Sequence, residues 1–396
     1  MPAAPHILFA GGGATGHLYP GIAVAAHLAD AIPEARITFA GPGKVREKHT
    51  VRTAGYHYST IPSQPVPQNP LQALRFVADN VAGYCAARWI LGELRVSLVV
   101  GLGGFTSAAV LRAAQGRGVP FLLLEQNALP SRTTRWFARE STLVCAAFDE
   151  VRPHLHVQAS VTVTGNPARR AFEQLYRRKA AHHHASHDQQ SHGMVTVPFA
   201  GTVDSRPKRL VVLGGAGGAR SLNESMPRAL KKLGNSLTDW QIIHQTGEGQ
   251  LQETEARYRK CGIDALAVSF IDEIASVLFA TDLVVCRSGG TCLAELALTG
   301  VPAVLVPCPQ ASDDHHLANA KVVAAARACR LIDESSQSGA LDTALAKELL
   351  PLMTEGDTRQ EMSRNMRQLA RPEASAEIAS AIRDSLFGNH SGLMAA

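Results

Sequence analysis

The residues best suited to ligand chemistry lie between Asp282 and Asn319. The sequence predicts a buried strand, a turn of small residues, and a helix that begins at about Gly290, with a second strand and a second helix after them. A helix N-terminus presents unpaired backbone N–H groups and the positive end of its dipole to an anion. We therefore expect a diphosphate at this turn, above the carboxyl ends of a parallel sheet.

Glu295 lies about a turn and a half into the first of these helices. A carboxylate there can accept hydrogen bonds from two neighbouring hydroxyls, such as those of a ribose. The simpler interpretation is a solvated helix glutamate. Its surroundings favour a ligand, because the small residues leave room beside the backbone and His315, His316 and Asn319 supply polar groups after the next strand.

Another glycine-rich turn follows the first predicted strand of the chain. Gly11, Gly13 and Gly16 match the spacing of the dinucleotide-binding fingerprint, so a nicotinamide or flavin oxidoreductase is one alternative. The next strand, residues 36–41, ends without the acidic residue that would hold an adenosine ribose, which argues against it. His17 projects from this loop and is a general-base candidate, since an unperturbed imidazole titrates at a pKa of about 6.5. A histidine that only braces the loop is the alternative.

The order of strands and glycine-rich turns predicts the domain organisation. With 396 residues the chain is long enough for two domains of about 150 to 200 residues each. We predict an α/β fold of two Rossmann-like domains that face each other across a cleft, residues 1–170 and 208–368. Residues 171–207 are predicted to be a linker with a histidine-rich insertion. Residues 369–396 are predicted to be a helical tail that packs back on the N-terminal domain.

Composition excludes several classes of function. The net charge is only +5, and no arginine-rich helix is interleaved with aromatic residues, so we expect no nucleic-acid partner. The seven cysteines contain no Cys-x-x-Cys pair and fall mostly in apolar strands or helices, as reduced core residues of a cytoplasmic protein do. We also expect no signal peptide and no membrane-spanning helix.

Residues 71–94 are predicted to form a helix that contacts a membrane surface. The stretch mixes apolar side chains with two arginines: Leu71, Leu74, Phe76, Val77, Trp89, Arg75 and Arg88. An apolar patch with a basic rim is typical of peripheral membrane enzymes. Ordinary core packing is the alternative explanation of the same residues.

The motifs, taken in order along nearly the whole chain, resemble one family. They are Gly-Gly-Gly-Ala-Thr-Gly-His-Leu-Tyr-Pro-Gly at 11–21, Gly-Leu-Gly-Gly-Phe-Thr-Ser at 101–107, Glu-Gln-Asn at 125–127, Gly-Asn-Pro-Ala-Arg at 165–169, Gly-Gly-Ala-Gly-Gly-Ala-Arg-Ser-Leu-Asn at 214–223, Cys-Arg-Ser-Gly-Gly-Thr-Cys-Leu-Ala-Glu at 286–295 and His-His-Leu-Ala-Asn-Ala at 315–320. The family is the bacterial transferase that adds N-acetylglucosamine to undecaprenyl-pyrophosphoryl-N-acetylmuramyl-pentapeptide, which converts lipid I to lipid II in peptidoglycan synthesis.

The resemblance implies a glycosyltransferase of the GT-B type at the cytoplasmic face of the inner membrane, peripherally bound. The lipid acceptor would lie in the first domain and UDP-N-acetylglucosamine (UDP-GlcNAc) mostly in the second. The family inverts configuration at the sugar carbon, so a base must take the proton of the muramyl 4-hydroxyl. By position that base would be His17.

Site residues are carried over from matching motifs. Ala14, Thr15 and Gly16 would approach the donor from the first domain. Asn127 would help to hold the sugar, and Arg169 would meet the diphosphate.

In the second domain, Ile271 and the segment Gly290 to Glu295 would frame uracil and ribose, with Glu295 on the ribose hydroxyls. That segment consists of Gly290, Thr291, Cys292, Leu293, Ala294 and Glu295. His315 and His316 occupy the place of the sugar-contacting polar pair. Two departures stand out, since the family usually has Ser at the position of Ala216 and commonly has Gln at that of His316. We expect donor affinity to be lower or more pH-sensitive, with the reaction class unchanged.

The run Asp313, Asp314, His315, His316 suggests a metal site, but consecutive residues at a helix start point about 100° apart and cannot converge on one ion. We expect neither a metal nor a cofactor, because a helix N-terminus and Arg169 can stabilise the leaving UDP. Three alternatives remain open: a transferase with another acceptor such as a diacylglycerol, a UDP-sugar epimerase, and a non-catalytic nucleotide-sugar sensor.

Overall fold

The computed structural model describes residues 4–12, 15–65, 73–185, 206–215, 217–309, 314–335 and 339–388. The chain divides into two compact units, Met1–Arg169 with Arg371–Ala396 and Arg170–Ala370. Each unit contains a parallel sheet with helices connecting its strands. The predicted α/β class with two Rossmann-like domains is confirmed.

The first unit alternates strands and helices from its first residues onward. Its elements are β1 (His6–Ala10), α1 (Leu18–Ala31), β2 (Arg36–Gly41), α2 (Val45–Thr53), β3 (His57–Thr60), α3 (Ala73–Glu93), β4 (Leu98–Gly101), α4 (Phe105–Gln115), β5 (Phe121–Glu125), α5 (Arg132–Phe137), β6 (Leu143–Ala146) and β7 (Val161–Val163). The strands are parallel, in the order β3-β2-β1-β4-β5-β6-β7. The order reverses at β1 and β4, so the carboxyl ends of these two strands open the crevice where ligands bind in such sheets.

The core of the first unit lies on both faces of this sheet. The central strands β1 and β4 are buried along their whole length, as expected for parallel strands covered by helices on both sides. The Phe9 and Phe39 rings stack with centroids 5.0 Å apart. The last helix of the chain, α14 (Ala374–Phe387), packs on α1 and adds Ile378 and Ile382 to the core.

The second unit repeats the plan with a smaller sheet. Its elements are α6 (Arg170–Ala185), β8 (Lys208–Leu213), α7 (Arg220–Leu233), β9 (Trp240–Gln245), α8 (Leu251–Cys261), β10 (Leu266–Val268), α9 (Ile274–Phe279), β11 (Leu283–Cys286), α10 (Gly290–Thr299), β12 (Ala303–Leu305), α11 (His315–Ala325), β13 (Cys329–Leu331), α12 (Leu341–Thr354) and α13 (Gly356–Gln368). The strands are parallel, in the order β10-β9-β8-β11-β12-β13. Here the order reverses between β8 and β11, which places the turn after β11 at the ligand-binding crevice.

Two sequence-based expectations need correction. The segment 171–207 does not begin as a linker, because residues 170–185 form α6, whose Phe172 is buried with its ring centroid 6.3 Å from that of Phe279. The rest of the histidine-rich insertion, residues 186–205, lies outside the described residues. The seven cysteines are free, but only Cys145, Cys286 and Cys329 are buried, so they are not uniformly core residues.

The helix predicted at residues 71–94 begins at Ala73 in the described part of the chain. Several of its apolar side chains face solvent: Leu74, Val77, Val81 and Trp89. Core packing therefore does not account for them, while Phe76 is half-buried. Within the described residues, no helix combines the length and the apolar character that crossing a membrane requires.

Candidate active site

The turn between β11 and α10 is held by the start of α11. Ser288 Oγ donates to the His316 carbonyl oxygen at 2.7 Å, and Asn319 Nδ2 donates to the Ser288 carbonyl oxygen at 3.0 Å. A Cβ atom on Gly289 would lie 3.8 Å from His316 Nε2, so the imidazole lies directly beside the turn. The structure thus brings His316 together with the segment that begins at Gly290.

Helix α10 begins at Gly290 without a side-chain cap. Gly289 is its N-cap residue, in extended backbone conformation, and it has no side chain to accept hydrogen bonds from the first-turn N–H groups. Those N–H groups and the positive end of the helix dipole suit a phosphate. The rings of His315 and His316 meet edge to face at 4.9 Å nearby.

Glu295 is buried rather than solvated, with a relative exposure of only 3%. The interpretation of this residue as an ordinary solvated helix glutamate is therefore wrong. A carboxylate is costly to bury unless it makes compensating interactions, so the surroundings of Glu295 in α10 must satisfy it.

Ile271 lies just beyond β10, at the same carboxyl edge of the sheet. Its backbone N–H donates to Gln245 Oε1 at 3.2 Å, and Gln245 is the buried last residue of β9. The Gln245 side chain, at the end of β9, therefore fixes the backbone that follows the neighbouring strand β10. Sequence reasoning identified Ile271 but assigned no role to Gln245.

Arg287 connects this turn to the segments after β12 and β13 and to the start of α7. The sequence analysis did not identify this residue. Its guanidinium donates to the carbonyl oxygens of Val306 and Pro307, both at 2.9 Å, and to Glu334 Oε1 and Ser221 Oγ, both at 2.8 Å. Ser221 Oγ in turn donates to Glu334 Oε1 at 2.8 Å. An arginine directly after the buried strand β11 was the available signal, whereas Glu334 lies three residues beyond the partly exposed strand β13.

In the first unit, the ends of β1, β4 and β5 assemble around His17. A Cβ atom on Gly103 would lie 3.9 Å from His17 Nδ1, and Gly103 has a φ of +86°, which only glycine adopts easily. Gln126 Nε2 donates to the carbonyl oxygens of His17 and Leu102, both at 3.4 Å. The imidazole therefore lies over the glycine-rich turn that follows β4.

Asn127 is oriented by a buried carboxylate. Glu125 Oε1 accepts from the Asn127 backbone N–H at 3.0 Å and from its Nδ2 at 3.2 Å. Glu125 Oε2 accepts from the Ser131 N–H at 2.9 Å and from Thr134 Oγ1 at 2.6 Å. The sequence analysis selected Asn127 but assigned no role to Glu125, which fixes the Asn127 side chain.

The remaining first-unit residues are placed as follows. The Arg169 guanidinium lies over the Tyr19 ring, 5.0 Å from the ring centroid. Tyr19 is two residues beyond His17 in the sequence. Thr15 and Gly16 belong to a single helical turn before α1, and Gly16 is exposed. Ala14 and, in the second unit, Ala216 lie outside the described residues. Within the described part of the chain, no three His, Cys, Asp or Glu side chains group so as to hold a metal ion.

Comparison with known proteins identifies the family. The glycosyltransferase family 28 N-terminal domain matches residues 7–145, and the family 28 C-terminal domain matches residues 209–378. The chain belongs to glycosyltransferase family 28. It is 32% identical, over 94% of its own length and 91% of the relative's, to the UDP-N-acetylglucosamine--N-acetylmuramyl-(pentapeptide) pyrophosphoryl-undecaprenol N-acetylglucosamine transferase of Myxococcus xanthus. The predicted family and the predicted class of enzyme, a glycosyltransferase, are confirmed.

Solved structures agree with this family. The crystal structure of Acinetobacter baumannii MurG superimposes with a TM-score of 0.71 at 25% identity and covers 96% of this chain and 99% of its own. A UDP-N-acetylglucosamine 2-epimerase of Listeria monocytogenes reaches a TM-score of 0.67 at 14% identity, covering 97% of both chains, and shares the fold alone. The family match excludes the dinucleotide oxidoreductase suggested by the fingerprint at Gly11.

Proposed function

We propose that this glycosyltransferase moves N-acetylglucosamine from UDP-GlcNAc to the 4-hydroxyl of the muramyl sugar in undecaprenyl-pyrophosphoryl-N-acetylmuramyl-pentapeptide, so that lipid I becomes lipid II. The observation that carries this proposal is the 32% identity, over 94% of the chain, to a relative named for that transfer. The product would serve peptidoglycan synthesis, and through it cell shape and division.

The donor binds in the second unit. The diphosphate is held by the N-terminus of α10, where the helix dipole presents its positive end and the N-cap residue is a glycine. Glu295 accepts hydrogen bonds from the ribose hydroxyls, a role that fits a carboxylate buried within this helix. Ile271 and the first turn of α10 frame uracil, and His315 and His316 contact the sugar.

The first unit supplies the groups that complete the reaction. Residues 14–16 approach the donor, and the Asn127 amide, oriented by Glu125, holds the sugar. Arg169 meets the diphosphate and adds a fixed positive charge that stabilises the leaving UDP. No step requires a metal ion or a cofactor.

Transfer with inversion needs one base and one stabilised leaving group. The muramyl 4-hydroxyl oxygen attacks the anomeric carbon from the face opposite UDP, and its proton passes to the imidazole of His17. The bond between the anomeric carbon and the diphosphate oxygen breaks, and the electron pair leaves with UDP. The imidazole must be neutral to accept this proton.

Peripheral attachment to the cytoplasmic face of the inner membrane is part of the proposal. The support is α3, where Leu74 is 86% exposed and Trp89 67% exposed. Large apolar side chains grouped on an exposed helix favour insertion into a lipid surface, and tryptophan prefers its interface. Arg88 on the same helix suits anionic headgroups, whereas Arg75 lies 3.6 Å from Asp79, which offsets its charge.

The deciding experiment is transfer of radiolabelled N-acetylglucosamine from UDP-GlcNAc to a lipid I analogue by the purified protein, in EDTA and beside a reaction without acceptor. Product that depends on the acceptor supports the proposal and its metal-free mechanism. Donor binding without product would instead favour another acceptor or a nucleotide-sugar sensor. Product only after Mg²⁺ is restored would overturn the metal-free mechanism alone.

A further inference from the structure

Two cysteines lie against each other at the turn assigned above to the donor diphosphate. Cys286 is the buried last residue of β11, and Cys292 is partly exposed in the first turn of α10. Their Sγ atoms are 3.8 Å apart. Neither thiol makes or breaks a bond in the proposed transfer.

We propose that Cys286 and Cys292 form an oxidation site, which a peroxide converts to a disulfide, and that closure of this bond weakens UDP-GlcNAc binding. The effect on the donor rests on the proposed function. Formation of the disulfide does not rest on the proposed function, because it depends only on the position and reactivity of the two sulfur atoms.

Cys292 reacts first because it reaches solvent. Its thiolate attacks one peroxide oxygen, the O–O bond breaks, and water leaves after protonation, which converts Cys292 to a sulfenic acid. Cys286 Sγ then attacks the Cys292 sulfur, the S–O bond breaks and a second water leaves. The two thiols together lose two electrons and two protons, and the peroxide is reduced to two waters.

Cys286 is suited to the second step rather than the first. The hydrogen bond that Cys286 shares with Cys292 and complete burial raise the pKa of the Cys286 thiol well above its usual value, so the thiol stays protonated and resists direct attack on a peroxide. The Arg287 guanidinium acts in the opposite direction and favours the transient thiolate. Two thiols of unequal access, one to be oxidised and one to resolve it, are the arrangement that redox-sensitive pairs require.

Closure must move the helix start rather than the strand. A disulfide has an S–S length of about 2.05 Å, so the two sulfurs must lose almost half of their present separation. Cys286 is fixed, because it lies in a buried strand that pairs with β8 on one side and β12 on the other. The movement therefore falls on Cys292 and the adjacent turn at Gly290, whose N–H groups are assigned to the diphosphate.

The test uses the full-length protein with Cys85→Ser, which removes the most exposed thiol. The protein is treated with hydrogen peroxide, alkylated, digested without reduction and analysed by mass spectrometry. UDP-GlcNAc affinity is measured by calorimetry before oxidation, after it, and after dithiothreitol. We expect joined peptides containing Cys286 and Cys292 that lack two hydrogen atoms, and a donor dissociation constant about tenfold higher or more, reversed by dithiothreitol.

Two single variants control the result. In Cys286→Ala, oxidation should leave donor affinity unchanged, whereas Cys329→Ala, which alters another buried strand cysteine of the same unit, should respond like the parent. If Cys286→Ala does not fold, Cys292→Ser read by peptide mass alone tests the cross-link. Absence of the joined peptides, a joined pair with unchanged affinity, or weakening that persists in Cys286→Ala would each overturn the inference. A reduced parent that does not bind UDP-GlcNAc would refute the proposed function and the donor effect, while the peptide masses would still report the oxidation site.

Discussion

Replacing Arg287 with methionine should destabilise the second unit and loosen its ligand-binding turn. The guanidinium makes four hydrogen bonds, to two backbone carbonyls, a hydroxyl and a carboxylate. Methionine has a similar length and can fill the space, but it can satisfy none of these acceptors. Glu334 then keeps its charge in a place that is only 14% exposed.

The expected cost follows from this geometry. Breaking a buried ion pair by removing one partner costs about 3 to 5 kcal/mol, because the other charge is left uncompensated. The Arg287 side chain is 16% exposed, so water relieves part of the penalty and we expect about 3 kcal/mol. The double variant with Glu334→Gln should recover about 1.5 kcal/mol or more of the summed single effects, since the isolated charge is gone.

Tryptophan fluorescence allows this unit to be followed alone. Trp240 is the single tryptophan of the second unit, and Trp89 and Trp136 are exposed residues of the first. Urea unfolding would be measured in a Trp89→Phe, Trp136→Phe background, with UDP-GlcNAc affinity measured beside it. We expect the donor dissociation constant of Arg287→Met to rise about tenfold, because the turn before α10 loses its anchor.

Arg330 provides the matched control for this arginine. It lies in the same unit, 3.9 Å from Glu348, and its side chain is 47% exposed. An exposed pair contributes little, so Arg330→Met should cost less than about 1 kcal/mol. If Arg287→Met costs no more than Arg330→Met, or if the double variant shows no coupling, the hydrogen bonds of Arg287 do not stabilise the second unit and the prediction is wrong.

Four further predictions concern single side chains. His17→Ala should lower turnover by about 10² to 10⁴ with near-normal donor affinity in steady-state kinetics, and a loss of affinity instead would remove it as the base. Glu295→Ala should mainly weaken UDP-GlcNAc binding in calorimetry, and unchanged affinity would break the ribose assignment. Glu125→Gln offers a donor where Asn127 and its neighbours need an acceptor, so the Michaelis constant for UDP-GlcNAc should rise about tenfold, and an unchanged constant would contradict this. Burial lowers the pKa of His244 to about 3, so the unfolded chain binds a proton that the folded one excludes, and stability is lost as pH falls from about 6.5 toward 3. Urea unfolding at pH 7 and pH 5 should show about 2 kcal/mol of loss that His244→Gln lacks.

The sequence predicted the fold well because the strands are short apolar runs followed by glycine-rich turns. Those local signals coincide with the buried strands β1, β8 and β11 and with the start of α10 at Gly290. Helix α6 was harder to predict, because Phe172 has a partner, Phe279, more than a hundred residues away. A contact of that range leaves no local pattern.

The candidate site was predictable where a residue acts through its own motif and unpredictable where it acts through distant partners. Asn127 and His316 stand in recognisable motifs, whereas Arg287 gains its role from the loops that follow β12 and β13 and from the start of α7. Burial was also beyond local reasoning. The sequence left a solvated helix glutamate open as an interpretation of Glu295, and only the packing of α10 in the fold shows that the residue is enclosed.

The packing of α14 on α1 has a consequence for synthesis of the chain. The hydrophobic core around Leu28 is complete only when Ile378 and Ile382 have been synthesised, more than 300 residues after it. Most of the first unit therefore emerges from the ribosome early, but its hydrophobic core is completed last, after the whole second unit has been made. A nonsense mutation near residue 370 would leave the second unit whole and the first with an open apolar surface, so we expect a truncated product to be lost to aggregation or proteolysis.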